Sequence, residues 1–117
     1  MIECVRLLVL TFYIKGPVHT EEARKILLAS IQCYLNEINT DEKIRQYLVE
    51  YPFPLKNIEL NFITHMEKED IRKSNSLASF ATFSGRIIYE KLTDTGRLYV
   101  DLEETFEEAQ EKLNVQK

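Results

Sequence analysis

The residues best suited to nucleophilic or soft-metal chemistry are two cysteines and two histidines, Cys4, Cys33, His19 and His65. A thiolate nucleophile needs a base within reach and an exposed, electropositive setting. Cys33 and His65 could form such a pair, but Cys33 lies beside the apolar stripe of a helical segment that presses it toward a sheet. Structural zinc wants three or four ligands at fixed spacing, and neither H-x-x-x-H nor C-x-x-C is present. His19 therefore reads as a helix-entry residue, His65 as a surface residue on a strand, and the cysteines as buried thiols, with one bridge between them compatible with their number. Gly16, Gly85 and Gly96 each fall at a turn and do not form a phosphate cradle, and no G-x-S-x-G elbow occurs. Glu90 is the remaining chemical candidate. Alternation aims it at the buried face between Ile88 and Leu92, where a carboxylate could act as acid or base, or pair with a Lys or Arg. No cofactor or metal is expected.

The elements that would position these groups belong to one domain spanning 1–117, since 44% apolar and 29% charged residues suit a globular chain with one core. A net charge of −4 gives no general nucleic-acid footprint. Acidic residues crowd the end, at Asp101, Glu103, Glu104, Glu107, Glu108 and Glu111, and read as a solvated helix face. The apolar run from Leu7 to Ile14 falls far short of the roughly 20 residues of a membrane span. With Glu3 before it and no small-x-small site after it, the run reads as a strand of a cytoplasmic protein, exported only if the gene starts upstream.

That strand is apolar on both sides, with Val5, Leu7 and Val9 against Leu8, Leu10, Phe12 and Ile14, so it is expected inside a sheet or at an oligomer contact. Thr20 caps a helix to Ile38, and Ala23, Ile26, Leu27, Ser30, Ile31, Tyr34, Leu35 and Ile38 form its stripe. Thr40 caps a shorter helix carrying Ile44, Tyr47 and Leu48, which Tyr51-Pro52-Phe53-Pro54 ends. A strand follows over Asn57–Met66, then a charged loop from Glu67 to Ser76.

From Leu77 to Leu102 three alternating runs form a meander with turns at Ser84-Gly85 and Asp94-Thr95-Gly96. A left-handed Gly96 pairs Thr93 with Arg97 and Leu92 with Leu98, and brings Ile88 opposite Leu102. The other turn sets Ala81 against Ile88 and Phe80 against Tyr89. The reading puts Leu98, Val100 and Leu102 beneath the long helix and turns Phe80, Tyr89 and Tyr99 outward. Thr105 and Glu108 make a capping box that starts a last helix.

The result is an α+β fold: a curved antiparallel β-sheet of about five strands packed against one long helix, in the order β-α-(α)-β-β-β-β-α. This order resembles the cystatin-like arrangement. The Gln-x-Val-x-Gly hairpin of cystatin inhibitors is absent, so the likeness implies no inhibition. Glu22-Ala23-Arg24, Ile38-Asn39, Ile44-Arg45, Tyr47-Leu48, Tyr51-Pro52-Phe53, Lys56-Asn57-Ile58, Glu104-Thr105 and Glu108-Ala109 resemble recurring landmarks of a family of small uncharacterised bacterial proteins, over about residues 20–110. That resemblance implies no reaction.

The function expected is a small non-enzymatic protein-binding or assembly module. Its partner would be another protein chain, a copy of itself included, as a homodimer joined through the first strand or the aromatic sheet face. Candidate contact residues are Arg45, Tyr51 and Phe53, in a rigid aromatic loop, and Phe80, Tyr89 and Tyr99 on the sheet. Structurally, Tyr51 and Phe53 could instead plug the open end of the core. The alternative is a ligand-binding or enzymatic domain with a pocket between helix and sheet, using Glu90 or Tyr89.

Overall fold

The computed structural model describes residues 5–115. Five strands, β1 (Leu8–Lys15), β2 (Ile58–His65), β3 (Ser79–Phe83), β4 (Arg86–Leu92) and β5 (Leu98–Thr105), form one open sheet in sequence order. The helices are α1 (Thr20–Thr40), α2 (Glu42–Arg45), α3 (Lys68–Ser74) and α4 (Phe106–Val115), with a 3-10 turn at Leu55–Asn57. The fold is α+β, a sheet packed against helices.

Pairing is antiparallel from β2 to β5, but β1 runs parallel to β2, from Leu8 opposite Ile58 to Lys15 opposite His65. The 21 residues of α1 carry the chain back to the end of the sheet where β1 began, which is what a parallel neighbour requires. Of the two places expected for β1, the inside of the sheet is not the one it takes. It is an edge strand, with Leu8, Leu10, Phe12 and Ile14 half-buried on one side and Val9 and Tyr13 exposed on the other.

Register sorts the sheet into rows. Phe12, Phe62, Phe80, Tyr89 and Leu102 lie side by side across all five strands on the α1 face, and the Phe12–Phe62 and Phe62–Phe80 rings stack at 5.1 and 5.0 Å. The adjacent row, Tyr13, Ile63, Ser79, Glu90 and Val100, lies on the bare face. Thr82 Oγ1 ties β3 to β2 within the core, accepting from Leu60 N at 2.9 Å and donating to Ile58 O at 3.2 Å.

The meander forms as expected at its turns. Ser84 and Gly85 both take left-handed φ, 49° and 81°, in a two-residue hairpin, and Gly96 sits at φ 82°. Phe80 meets Tyr89, Ala81 meets Ile88 and Leu92 meets Leu98. Its faces, however, are inverted relative to the sequence reading, except that Leu102 lies on the helix side as expected. Phe80 and Tyr89 are 0% exposed, whereas Leu98 and Val100 are 56% and 53% exposed. Both rows are apolar enough to be buried. The aromatic one removes more area from water per side chain and continues the ring stack of β1 and β2, so it takes the helix side. A bulge opposite Tyr89 and Glu90 leaves Asp101 as an extra residue, so Ile88 faces Glu103 while Leu102 and Glu104 turn inward.

Smaller departures have local causes. His19 occupies the N-cap of α1, its carbonyl accepting from Ala23 N, so Thr20 is already helical. Asp41 caps α2 in place of Thr40, because its Oδ1 reaches Lys43 N and Ile44 N at 2.9 and 3.2 Å. The segment expected as a loop contains α3, anchored by buried Ile71 and closed by Asn75 at φ 52°. The Thr105–Glu108 capping box forms reciprocally at 3.1 and 3.0 Å. Cys33 is exposed on α1, not buried, because it falls outside the sheet-facing stripe. Cys4 lies outside the described residues.

Candidate interaction surface

The charged side chains nearest the core form a lock between elements. Glu104, placed inward by the β5 bulge and only 1% exposed, accepts from Arg24 Nε and Nη2 at 2.9 and 3.3 Å, Tyr89 Oη at 2.5 Å and Lys112 Nζ at 2.8 Å. Burial alone would raise the Glu104 pKa, but the donors of Arg24, Lys112 and Tyr89 outweigh it and hold the carboxyl below its ordinary range. Burial lifts the Tyr89 phenol well above its ordinary value, and its bond to Glu104 adds to the rise. Burial pulls the Arg24 guanidinium down, yet Glu104 leaves it above its ordinary value.

The Arg24 guanidinium also lies 5.8 Å from the Tyr89 ring centroid. The cluster joins α1, β4, β5 and α4, and none of the four main crevices is lined by Arg24, Tyr89 or Glu104. It is a structural joint. Glu104 is thus not part of the solvated acidic face expected for it; it lies two residues beyond Leu102, on the same side of β5.

Asn39 ties the loop after α2 to the end of α1. Asn39 Oδ1 accepts from Phe53 N at 2.6 Å and its Nδ2 donates to Phe53 O at 3.3 Å, while the Phe53 ring is buried in the core. Arg45 stacks over the Tyr51 ring at 4.3 Å, and Tyr51 stays exposed. Of this nominated trio, Phe53 is the core plug, and only Arg45 and Tyr51 are brought together at the surface. Replacing Asn39 by Ala should cost about 1–3 kcal/mol in chemical denaturation, because it leaves Phe53 N without its partner. It should also speed proteolysis within residues 46–52.

The sheet nominees divide the same way. Phe80 and Tyr89 belong to the core and are not available for contacts; Tyr99 is exposed, on the side of β5 opposite Leu98 and Val100. Glu90 is not inside but on the bare face, accepting from Ser79 Oγ at 3.1 Å.

That bare face is what the sequence reading missed. It presents Val9, Tyr13, Ile63, Phe83, Leu98 and Val100, six of the twelve exposed large hydrophobics among the described residues. A shallow depression of about 840 Å³ crosses it, walled by Ile71 and Lys68 of α3 and floored by Ile63, Ala81 and Glu90, with Arg97 at its rim. A second crevice of about 860 Å³ opens at the β1 edge between Leu8 and Leu10 and the α1–α2 corner of Tyr34, Ile38 and Ile44, and no charged group lines it.

Among the described residues, no group of three or more His, Cys, Asp or Glu could hold a metal ion, and no helix is long and apolar enough to cross a membrane. No protein-family model, curated protein or solved structure matches the chain, so neither resemblance drawn from the sequence gains support there.

Proposed function

We propose that the protein is a non-enzymatic protein-binding module whose partner chain seats on the uncovered face of its sheet. One observation carries this reading: on the side of the sheet opposite α1, where only α3 stands at one end, the cross-strand pair Tyr13 and Ile63 and the β5 neighbours Leu98 and Val100 are exposed to water. Exposed apolar side chains grouped on one face mark interaction sites. Arg97 and Lys68 at the margin supply a polar rim. The exposed, unbridged Cys33 fits a reducing, cytoplasmic setting.

The pocket-based alternative has less to stand on. Tyr89 spends its hydroxyl on Glu104 within the core, and Glu90 projects from the face of β4 opposite α1, so neither lines a pocket between that helix and the sheet.

The test is a paired substitution, Leu98→Lys with Val100→Lys. Both sites are more than half exposed, so the thermal midpoint should stay within a few degrees of wild type, in the range of surface substitutions, about 0.5 kcal/mol. In an extract of cells making the protein, the wild-type chain should elute with a partner, ahead of the purified chain, and the double variant should elute as the purified chain does. A wild-type chain eluting alone, or a variant that keeps its partner, would overturn the reading.

A further inference from the structure

We propose that β1 pairs antiparallel with β1 of a second copy, about a two-fold axis at Thr11, merging two sheets into one of ten strands. The inference uses a different surface from the sheet face. It starts from how the two edges of the sheet are treated. The β5 edge carries a bulge, with Asp101 and Glu103 along it, devices that discourage strand addition. The β1 edge has none of them: eight residues pair with β2 without a break, there is no proline, and the one charge, Lys15, is the last residue. Left open, such a strand is a template for another chain.

The strand's own sequence says which chain. Two sheets joined with their helices on the same side require like-facing residues to oppose, and this restricts the register to shifts of two. Centred on Thr11, the pairing sets Leu8 against the partner's Ile14 and Leu10 against the partner's Phe12 on the helix side. Val9 meets the partner's Tyr13 on the bare side. A shift of two one way opposes Ile14 to the partner's Arg6, and the other way opposes Leu8 to the partner's Gly16. Only the Thr11 register makes every inward pair apolar. The window is also bounded, by the Val5–Leu48 bridge before it and Gly16-Pro17 after it.

What lies beside the edge fits the same occupant. Leu8, Leu10, Phe12 and Ile14 are only half-buried, and the uncharged crevice against Tyr34, Ile38 and Ile44 opens next to them. The partner's Phe12 and Ile14 would cover that surface, and the symmetry would repeat the cover on the other copy. Eight residues at about 3.4 Å each span about 27 Å; over an edge about 20 Å deep, sheet plus helix, this is about 540 Å² a side and about 1,100 Å² in all, just above the roughly 1,000 Å² of a specific interface.

Light scattering on the purified protein tests this. The wild-type chain at about 100 µM, well above a micromolar dissociation constant, should run as a dimer of the 13.8 kDa chain. Thr11 is exposed, so Thr11→Lys and Thr11→Glu should fold normally, and each alone should weaken the dimer by about tenfold or more by setting like charges face to face. An equimolar mixture of the two variants should associate again as a heterodimer.

With Cys4 and Cys33 changed to Ser, Thr11→Cys should form a disulfide-linked dimer when oxidised glutathione is added as the two-electron oxidant, since directly opposed residues meet bridge geometry. A monomeric wild-type chain, which would leave the edge to a strand from a different protein, overturns the proposal. So does a dimer indifferent to both charge variants. Leu98→Lys with Val100→Lys sits on the far strands and should leave this dimer intact, so the two proposals fail separately.

Discussion

Replacing Arg24 by Met is expected to destabilise the protein by about 3–5 kcal/mol, the largest effect of any single charged-residue change, because it strands the Glu104 carboxylate in the core. The lower end of that range applies, since Lys112 Nζ remains 2.8 Å from Glu104. Chemical denaturation measures it, and the companion variants sharpen it. Glu104→Gln should cost less, because a neutral amide needs less compensation, and Arg24→Met with Glu104→Met should recover part of the loss, as paired apolar replacements of buried ion pairs do. A pH dependence follows from the depressed Glu104 carboxyl. Its contribution is complete above the ordinary carboxylate range and drains away as pH falls through that range and below it. The unfolding free energy of the Arg24→Met variant should fall less steeply over that window.

Phe80→Ala is expected to cost about 3–5 kcal/mol and Phe83→Ala less than about 0.5 kcal/mol, although the two are three residues apart on one strand. Phe80 is fully buried and stacked on Phe62, with ring planes 5° apart; Phe83 is mostly in water on the other face. Thermal or denaturant unfolding of the two variants reads the faces of the sheet directly. Equal costs, or the reverse order, would mean that the helix covers the other row.

The elements of this fold were legible in the sequence because each has a local signal: two left-handed residues at Ser84-Gly85, a lone glycine at Gly96, a reciprocal Thr105–Glu108 cap and a three-and-four spacing from Ala23 to Ile38. Which way the meander faced was not legible. Alternation says that residues divide into two sets and is silent on which set is buried when both are apolar, as Ile88, Leu98 and Val100 are against Phe80, Ile87 and Tyr89. The ring stack that decides it joins Phe12, Phe62 and Phe80, and the partners come from strands far apart in sequence.

The buried lock was hidden for the same reason. Arg24 and Glu104 are 80 positions apart, and Glu104, two residues beyond the inward-facing Leu102, stands in a run of acids that reads as solvated. The candidate surface changed accordingly. Of the six nominated contact residues, Arg45, Tyr51 and Tyr99 remain at the surface, and Phe53, Phe80 and Tyr89 are core. The face that does stand open carries aliphatic residues which the sequence alone assigns to the interior.

The most direct test of that face places a photo-crosslinking amino acid at position 100 in one variant and at position 25, on the exposed side of α1, in another, and irradiates cells making each. A discrete covalent adduct from position 100 that is absent from position 25 is the outcome the docking surface predicts. No adduct from position 100, or the same products from both positions, would contradict it.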